Sequence, residues 1–141
     1  MSLMFEPLRK YATFSGRARR KEYWLFWLFT VALSLALSAW LLSAIGPDAM
    51  SGSQPLAMEE VMAMPAARTP LIVIGIVSLL LLLPQLAVSV RRLHDSDKSG
   101  WWLLLNLIPF GALVLLIFFL LDGTPGPNRH GPDPKGRSLD G

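Results

Sequence analysis

Three uncharged apolar stretches constrain the chain more than any other feature: residues 23–45, 71–90 and 101–121, which are 23, 20 and 21 residues long. Each is close to the ~20 residues that a helix rising 1.5 Å per residue needs to cross a ~30 Å hydrocarbon layer. The rest of the 141-residue chain is cut into pieces of 22, 25, 10 and 20 residues, each too short to bury a core of its own. A single all-α membrane domain over 1–141 is therefore expected, with three transmembrane helices and no soluble domain. Composition agrees: 52% of residues are hydrophobic and 16% charged, with mean hydropathy +0.46, against roughly 25% charge in ordinary globular proteins. The first stretch follows a basic segment, as in a signal peptide, but exceeds the roughly 7 to 15 residues of a cleavable apolar region. It is expected to stay as an anchor.

Several function classes lose support at once. Tyr23 is the only ionisable residue within the three stretches, whereas ion pathways usually place charge at depth. Asn106 and Gln85 are strongly polar but suit helix contacts or backbone near a proline. Cysteine is absent, which removes disulfides, thiolate metal sites and Cys nucleophiles. Met50, Met58, Met62 and Met64 stand without His or Cys, as apolar filler and not a soft-metal site. No metal and no cofactor are expected. The basic residues flank apolar stretches and form no soluble basic face with stacking aromatics, so a pI near 9.7 points to membrane phosphates and not to nucleic acid.

Charge placement predicts orientation. Residues 1–22 hold Arg9, Lys10, Arg17, Arg19, Arg20 and Lys21 against Glu6 and Glu22, which puts the amino terminus in the cytoplasm. Met4, Leu8 and Tyr11, widened by Phe5, form a helical stripe suited to the headgroup layer, with Pro7 in its first turn. Phe14-Ser15-Gly16 breaks that run, and Tyr23, Trp24 and Trp27 belong at the interface where the first span enters. Ala32, Ala36, Ala39 and Ser43 mark a stripe of small residues suited to helix packing. Residues 46–70, with Arg68 against Asp48, Glu59 and Glu60, read as an external loop. The second span carries Pro84, where a kink is expected. It ends at Arg91-Arg92, and the ten-residue cytoplasmic link 91–100 makes spans two and three an antiparallel hairpin.

The third stretch admits two arrangements. Re-entry at Pro109-Phe110-Gly111 returns the tail inside, and the division of basic residues favours it, twelve against one instead of nine against four. A turn at membrane depth, however, exposes backbone polar groups. A kinked full crossing of 21 residues avoids that exposure, and we expect it, with the tail outside. The tail, 122–141, has five Gly and four Pro and cannot fold alone. It can be ordered by docking onto charges elsewhere, since Pro lowers the entropy lost.

Three strings, FSGRARRKEYW at 14–24, RRLHDSDKSGWW at 91–102 and GTPGPNRHGPDP at 123–134, together resemble the small bacterial inner-membrane proteins grouped as domain of unknown function 805. The resemblance covers nearly the whole chain in order and implies a multi-pass protein of the bacterial plasma membrane. It brings no established activity. The sequence departs at His130, where the family's tail motif has Phe or Tyr, which bears on aromatic docking of the tail. Residues 46–70 match no motif of the family.

If the amino terminus is cytoplasmic, Arg17, Arg19, Arg20 and Lys21 share a side with Arg91, Arg92, His94, Asp95 and Asp97. Three readings of that cluster follow. It is an ion-pair lattice that fixes helices, a site for anionic headgroup phosphates, which guanidinium forks suit, or a lipid-headgroup-modifying centre with His94 and Asp95 as acid and base. No G-x-S-x-G or H-E-x-x-H spacing supports the last. The expected role is structural or interaction-based, with anionic membrane lipids, another membrane protein or a second copy as partner. Replacing Arg91 and Arg92 together by Lys keeps the orienting charge but loses the planar fork. The expected outcome is correct insertion with reduced stability in detergent.

Overall fold

A computed structural model describes residues 2–47, 51–52 and 56–137. No strand occurs among the described residues, and the isolated bridge between Asn128 and Gly131 lies in a turn of the tail. A 3-10 turn at Leu3–Phe5 leads into α1 (Glu6–Arg9), with the Ser2 hydroxyl accepting from the Met4 N–H at 3.2 Å and Pro7 buried in the first turn. Two long helices follow, α2 (Arg20–Ile45) and α4 (Pro65–Asp95), separated by the short α3 (Met58–Ala63). Both long helices are long and apolar enough to cross a membrane. Their side chains mostly point outward, as with Leu35 (66% exposed) and Leu79 (71%), and hydrocarbon is the solvent that suits such a surface.

The chain divides into two compact units, one made of residues up to Trp27 and from Leu82 onward, the other of Leu28–Leu81. In the second unit, the Glu60 carboxylate accepts from the Ala57 N–H at 3.0 Å and so caps α3. The stripe of Ala32, Ala36, Ala39 and Ser43 is exposed in the single chain. Helix α4 starts six residues before its apolar stretch, with Pro65 at the first position, where a missing N–H costs nothing.

In the first unit α4 runs on past Val90, so Arg91, Arg92, His94 and Asp95 project from its last turns and not from a loop. The helix stops in a Schellman arrangement: Lys98 N–H donates to the Leu93 carbonyl (2.9 Å) and Asp97 N–H to the His94 carbonyl (3.0 Å), with Asp97 at φ +56°. Ser99 then caps a 3-10 helix over Gly100–Leu107, its hydroxyl accepting from the Trp101 N–H.

The third apolar stretch is not the continuous kinked helix that its length favours. The 3-10 arm ends at Leu107, and α5 (Gly111–Leu120) starts after a turn. Pro109 cannot donate a helical hydrogen bond, and Phe110 adopts a left-handed conformation (φ +63°) that non-glycine residues seldom take. Gly111 is required next, since a Cβ there would stand 1.6 Å from the Leu105 carbonyl oxygen. Both ends of the stretch return to the same end of α4. Gly100 abuts Val90, and a Cβ on Gly123 would fall 2.0 Å from Asp95 Oδ2. The arms pack on each other through Trp102 and Phe118, edge to face at 5.4 Å. Each arm reaches about 15 Å, half a hydrocarbon layer.

Gly111→Ala is therefore expected to lower stability in detergent by about 1–3 kcal/mol. Gly75→Ala, at a helical position with nothing within 4 Å, is expected to be neutral or stabilising by up to about 1 kcal/mol. Thermal unfolding of the two variants side by side checks the turn.

Candidate functional site: a buried arginine network

Gly16, at φ +85°, turns the chain so that the segment before α2 runs beside the end of α4. Ala18 N–H donates to the Arg91 carbonyl at 3.0 Å, and His94 Nδ1 lies 3.0 Å from the Gly16 carbonyl. A carbonyl only accepts, so Nδ1 carries the proton. This contact aims Arg17 inward, where its side chain is 1% exposed. Arg17 Nε donates to Asp95 Oδ1 at 2.9 Å, Nη1 to the Gly126 carbonyl at 2.7 Å, and Nη2 to the carbonyls of Thr124 (2.5 Å) and Asp95 (3.3 Å). One guanidinium thus joins the amino-terminal segment, α4 and the tail.

Arg92 does the same for α5. It is fully buried; Nη1 donates to Asp95 Oδ2 at 2.6 Å, Nε to the Phe119 carbonyl at 3.3 Å, and Nη2 to the Leu121 carbonyl. Arg20 Nη1 reaches the Leu120 carbonyl at 3.1 Å, and the Trp24 indole N–H reaches Phe119 at 3.4 Å. These donors satisfy carbonyls left open at a helix end and place positive charge where the helix dipole favours it. Arg91 pairs with Glu22 at 2.7 Å, both buried, while its Nε and Nη2 have no hydrogen-bond partner among the described residues.

The tail is held by further contacts. Asn128 Nδ2 donates to the His94 carbonyl (2.9 Å) and to Thr124 Oγ1 (2.8 Å), and Thr124 N–H donates to the Asp95 carbonyl at 2.8 Å. Asp133 accepts from Gly126 N–H, Lys135 N–H and Arg137. Hydrogen bonding to Arg137 holds its carboxyl far below the usual carboxylate range. Asp122 is shared by Lys135, Arg137 and Arg20 and is also lowered, chiefly by its bond to Lys135. His130 stacks on His94 with ring centroids 3.8 Å apart and planes within 3°. An imidazole thus supplies the aromatic docking that its departure from Phe or Tyr had put in question.

The other candidates sit at the edge. Arg19 is exposed and donates through Nε to the Pro134 carbonyl; Lys21 is exposed with no partner among the described residues. Asp97 meets Arg129 of the tail at 3.2 Å, not the amino-terminal arginines. His94 and Asp95 are not hydrogen-bonded to each other. Successive helix positions diverge by about 100°, and here one faces Gly16 and His130 while the other faces Arg17 and Arg92. No group of three or more His, Cys, Asp or Glu suited to a metal ion occurs among the described residues.

The residues that inspection of the sequence overlooked are those of the tail. Thr124, Asn128 and Asp133 lie inside the GTPGPNRHGPDP string and carried a usable signal. The carbonyls of Phe119, Leu121, Thr124 and Gly126 carried none, because backbone acceptors have no residue signature.

A family model described as protein of unknown function (DUF805) matches residues 11–132. The chain belongs to that family. It is 43% identical over 136 residues to Inner membrane protein YhaH of Escherichia coli (strain K12), covering 96% of this chain and 98% of the relative. It is 40% identical over 136 residues to Inner membrane protein YhaI of the same organism, covering 96% and 97%. No solved structure matches. The DUF805 match takes in the amino-terminal Arg17 segment, the end of α4 and the tail as far as Pro132, so almost the whole network lies inside it.

Two outcomes follow. Asp95→Asn leaves Arg17 and Arg92 without their shared counter-charge and is expected to cost about 3–5 kcal/mol, read by thermal unfolding. The histidine stack makes tail docking pH-dependent. Burial lowers the pKa of both His94 and His130 below the ordinary 6.5, with Arg129 beside both, Arg17 acting the same way on His130, and Asp97 opposing at His130. A lowered folded-state value means the unfolded chain binds protons first. The stabilisation is therefore complete above about pH 6.5 and is lost as pH falls through the folded values. Protease cleavage of the tail should accelerate as pH falls from about 7.5 to about 5, and His130→Phe, which stacks without titrating, should reduce that rise to the part contributed by His94.

Proposed function

We propose that this inner-membrane protein is a small lipid-facing interaction module. Its polar end is cytoplasmic, its third apolar segment is re-entrant, and its surplus cationic surface meets anionic headgroups. The observation that carries this is how the arginines divide. Arg17, Arg91 and Arg92 are buried and paired with Asp95 or Glu22, whereas Arg19, Arg20 and Lys21 stay exposed beside the interfacial Trp24. The buried set is architecture, and the exposed set is what a partner meets.

Orientation is supported by charge. With the tail on the same side as the amino terminus, twelve of the thirteen Lys and Arg lie on one face of the membrane and Arg68 alone lies on the other, a distribution that favours the cytoplasm for the twelve. The relatives YhaH and YhaI from Escherichia coli are named inner membrane proteins, in keeping with this placement. The rival, a lipid-headgroup-modifying enzyme built on His94, is weakened by the engagement of His94 with Gly16 and His130 and by the absence of a hydrogen bond to Asp95.

Two measurements test the reading. A cysteine at Ser138, a position outside the described residues, is expected to react with a membrane-impermeant thiol reagent only after spheroplasts are lysed; labelling of intact spheroplasts would place the tail outside. In nanodiscs, thermal stability should be higher in phosphatidylglycerol than in phosphatidylcholine, and most of that difference should vanish in Arg19→Gln/Arg20→Gln/Lys21→Gln, at about 1 kcal/mol per basic residue near the surface. Equal stability in the two lipids would contradict it.

A further inference from the structure

Two recesses lie beside the exposed basic residues, and one of them is a mainly apolar groove. Arg20, Lys21, Trp24 and Leu120 line a recess of about 330 Å³. Trp24 also lines a larger recess of about 560 Å³ whose walls include Trp27, Leu86, Leu104, Leu116 and Phe119. Trp24 thus lines both recesses, and Phe119 of one precedes Leu120 of the other in α5. Along α5 the groove follows Ala112, Leu115, Leu116 and Phe119, a single helical stripe about 10 Å long running from the polar end toward the Pro109 turn.

We infer that the two recesses form one site for an anionic phospholipid, with its phosphate at Arg20 and Lys21 and one acyl chain along the α5 stripe. The inference rests on the proposal that the exposed basic residues meet anionic lipid, and it narrows that contact to a place. Three observations carry it. The cationic end is not neutralised internally: Lys21 has no partner among the described residues, and Asp122, 3.7 Å from Arg20 Nε, is already shared with Lys135 and Arg137. The groove wall is apolar where a chain would lie. Its polar members, Tyr23, Gln85, Ser89 and Asn106, lie off the α5 stripe; the Ser89 hydroxyl donates to the Gln85 carbonyl at 2.7 Å, and Gln85 Oε1 is buried without a hydrogen-bond partner among the described residues. Finally, Trp24 lines both recesses, so a headgroup in the basic one and a chain in the apolar one would meet at a single side chain. Their volumes suit a ligand of that kind.

The test uses the full-length protein in non-ionic detergent, with lipid retention followed by native mass spectrometry. The probes are long-chain phosphatidylglycerol, phosphatidylcholine with the same chains, and inorganic phosphate. Wild type is expected to retain phosphatidylglycerol about tenfold better than phosphatidylcholine and to show no comparable retention of phosphate. Arg20→Gln/Lys21→Gln should remove the preference, Leu116→Trp should lower retention of both lipids about tenfold by filling the groove, and Arg9→Gln/Lys10→Gln, with the same charge removed elsewhere, should change retention less than about twofold. Since Arg20 also caps α5, Lys21→Gln alone together with Leu116→Trp decides the matter if the double variant fails to fold. If every charge removal weakens retention equally and Leu116→Trp has no effect, the site is overturned while a diffuse surface attraction stands. If wild type shows no lipid preference, both fail. Phosphate bound as tightly as phosphatidylglycerol would also overturn the site.

Discussion

A guanidinium group stays protonated at any ordinary pH, so a chain that buries one must surround it with acceptors. Three are buried here at the end of two apolar helices; two carboxylates, Asp95 and Glu22, accept hydrogen bonds from them, and Asp133 stands 3.9 Å from Arg17. Two carboxylates cannot occupy every donor of three planar forks. The remaining donors of Arg17 and Arg92 draw backbone carbonyls, most of which belong to the end of α5 and to the tail, while two donors of Arg91 have no partner among the described residues. The folding of a Gly- and Pro-rich segment that has no core of its own follows from that demand. Gly123 lets the backbone approach Asp95 closely, and Thr124 and Gly126 then present their carbonyls to Arg17.

The same demand accounts for the third apolar segment. A helix of ten residues is marginal by itself, and α5 ends with carbonyls that hydrocarbon cannot satisfy. Arg92, Arg20 and Trp24 supply donors at that end. The Pro109-Phe110-Gly111 turn lets the segment come back to them. The unfavourable left-handed conformation of Phe110 is thus held in place by contacts at the far ends of both arms.

Much of this was legible in the sequence. The two long helices follow from run length and polarity, and the gathering of Arg17 with Asp95 follows from orienting residues 1–22 and 91–100 to one side. Membership of the family was legible in three strings. The fate of residues 101–121 was the harder question, since Pro109 and Gly111 signalled a turn while 21 apolar residues signalled a crossing. Length favours a crossing because the cost of a turn at membrane depth can be counted from sequence, whereas the donors that distant arginines bring to the end of α5 cannot. Likewise, Arg91 and Arg92 seemed to lie in a loop because charge ends an apolar run, yet the hydrogen-bonded helix continues until Asp97 turns it. Met50, one of the loop methionines, lies outside the described residues.

Burial of Arg17 against Asp95 holds the tail to the end of α4. Amide hydrogen exchange reads this directly, because Thr124 N–H donates to the Asp95 carbonyl at 2.8 Å and Ala18 N–H to the Arg91 carbonyl at 3.0 Å. Both amides should exchange slowly in the native protein, and in Arg17→Gln the Thr124 amide should exchange at close to its unprotected rate while amides in the middle of α4 stay slow. Rapid exchange of Thr124 in the native protein, or protection that survives the loss of Arg17, would contradict it.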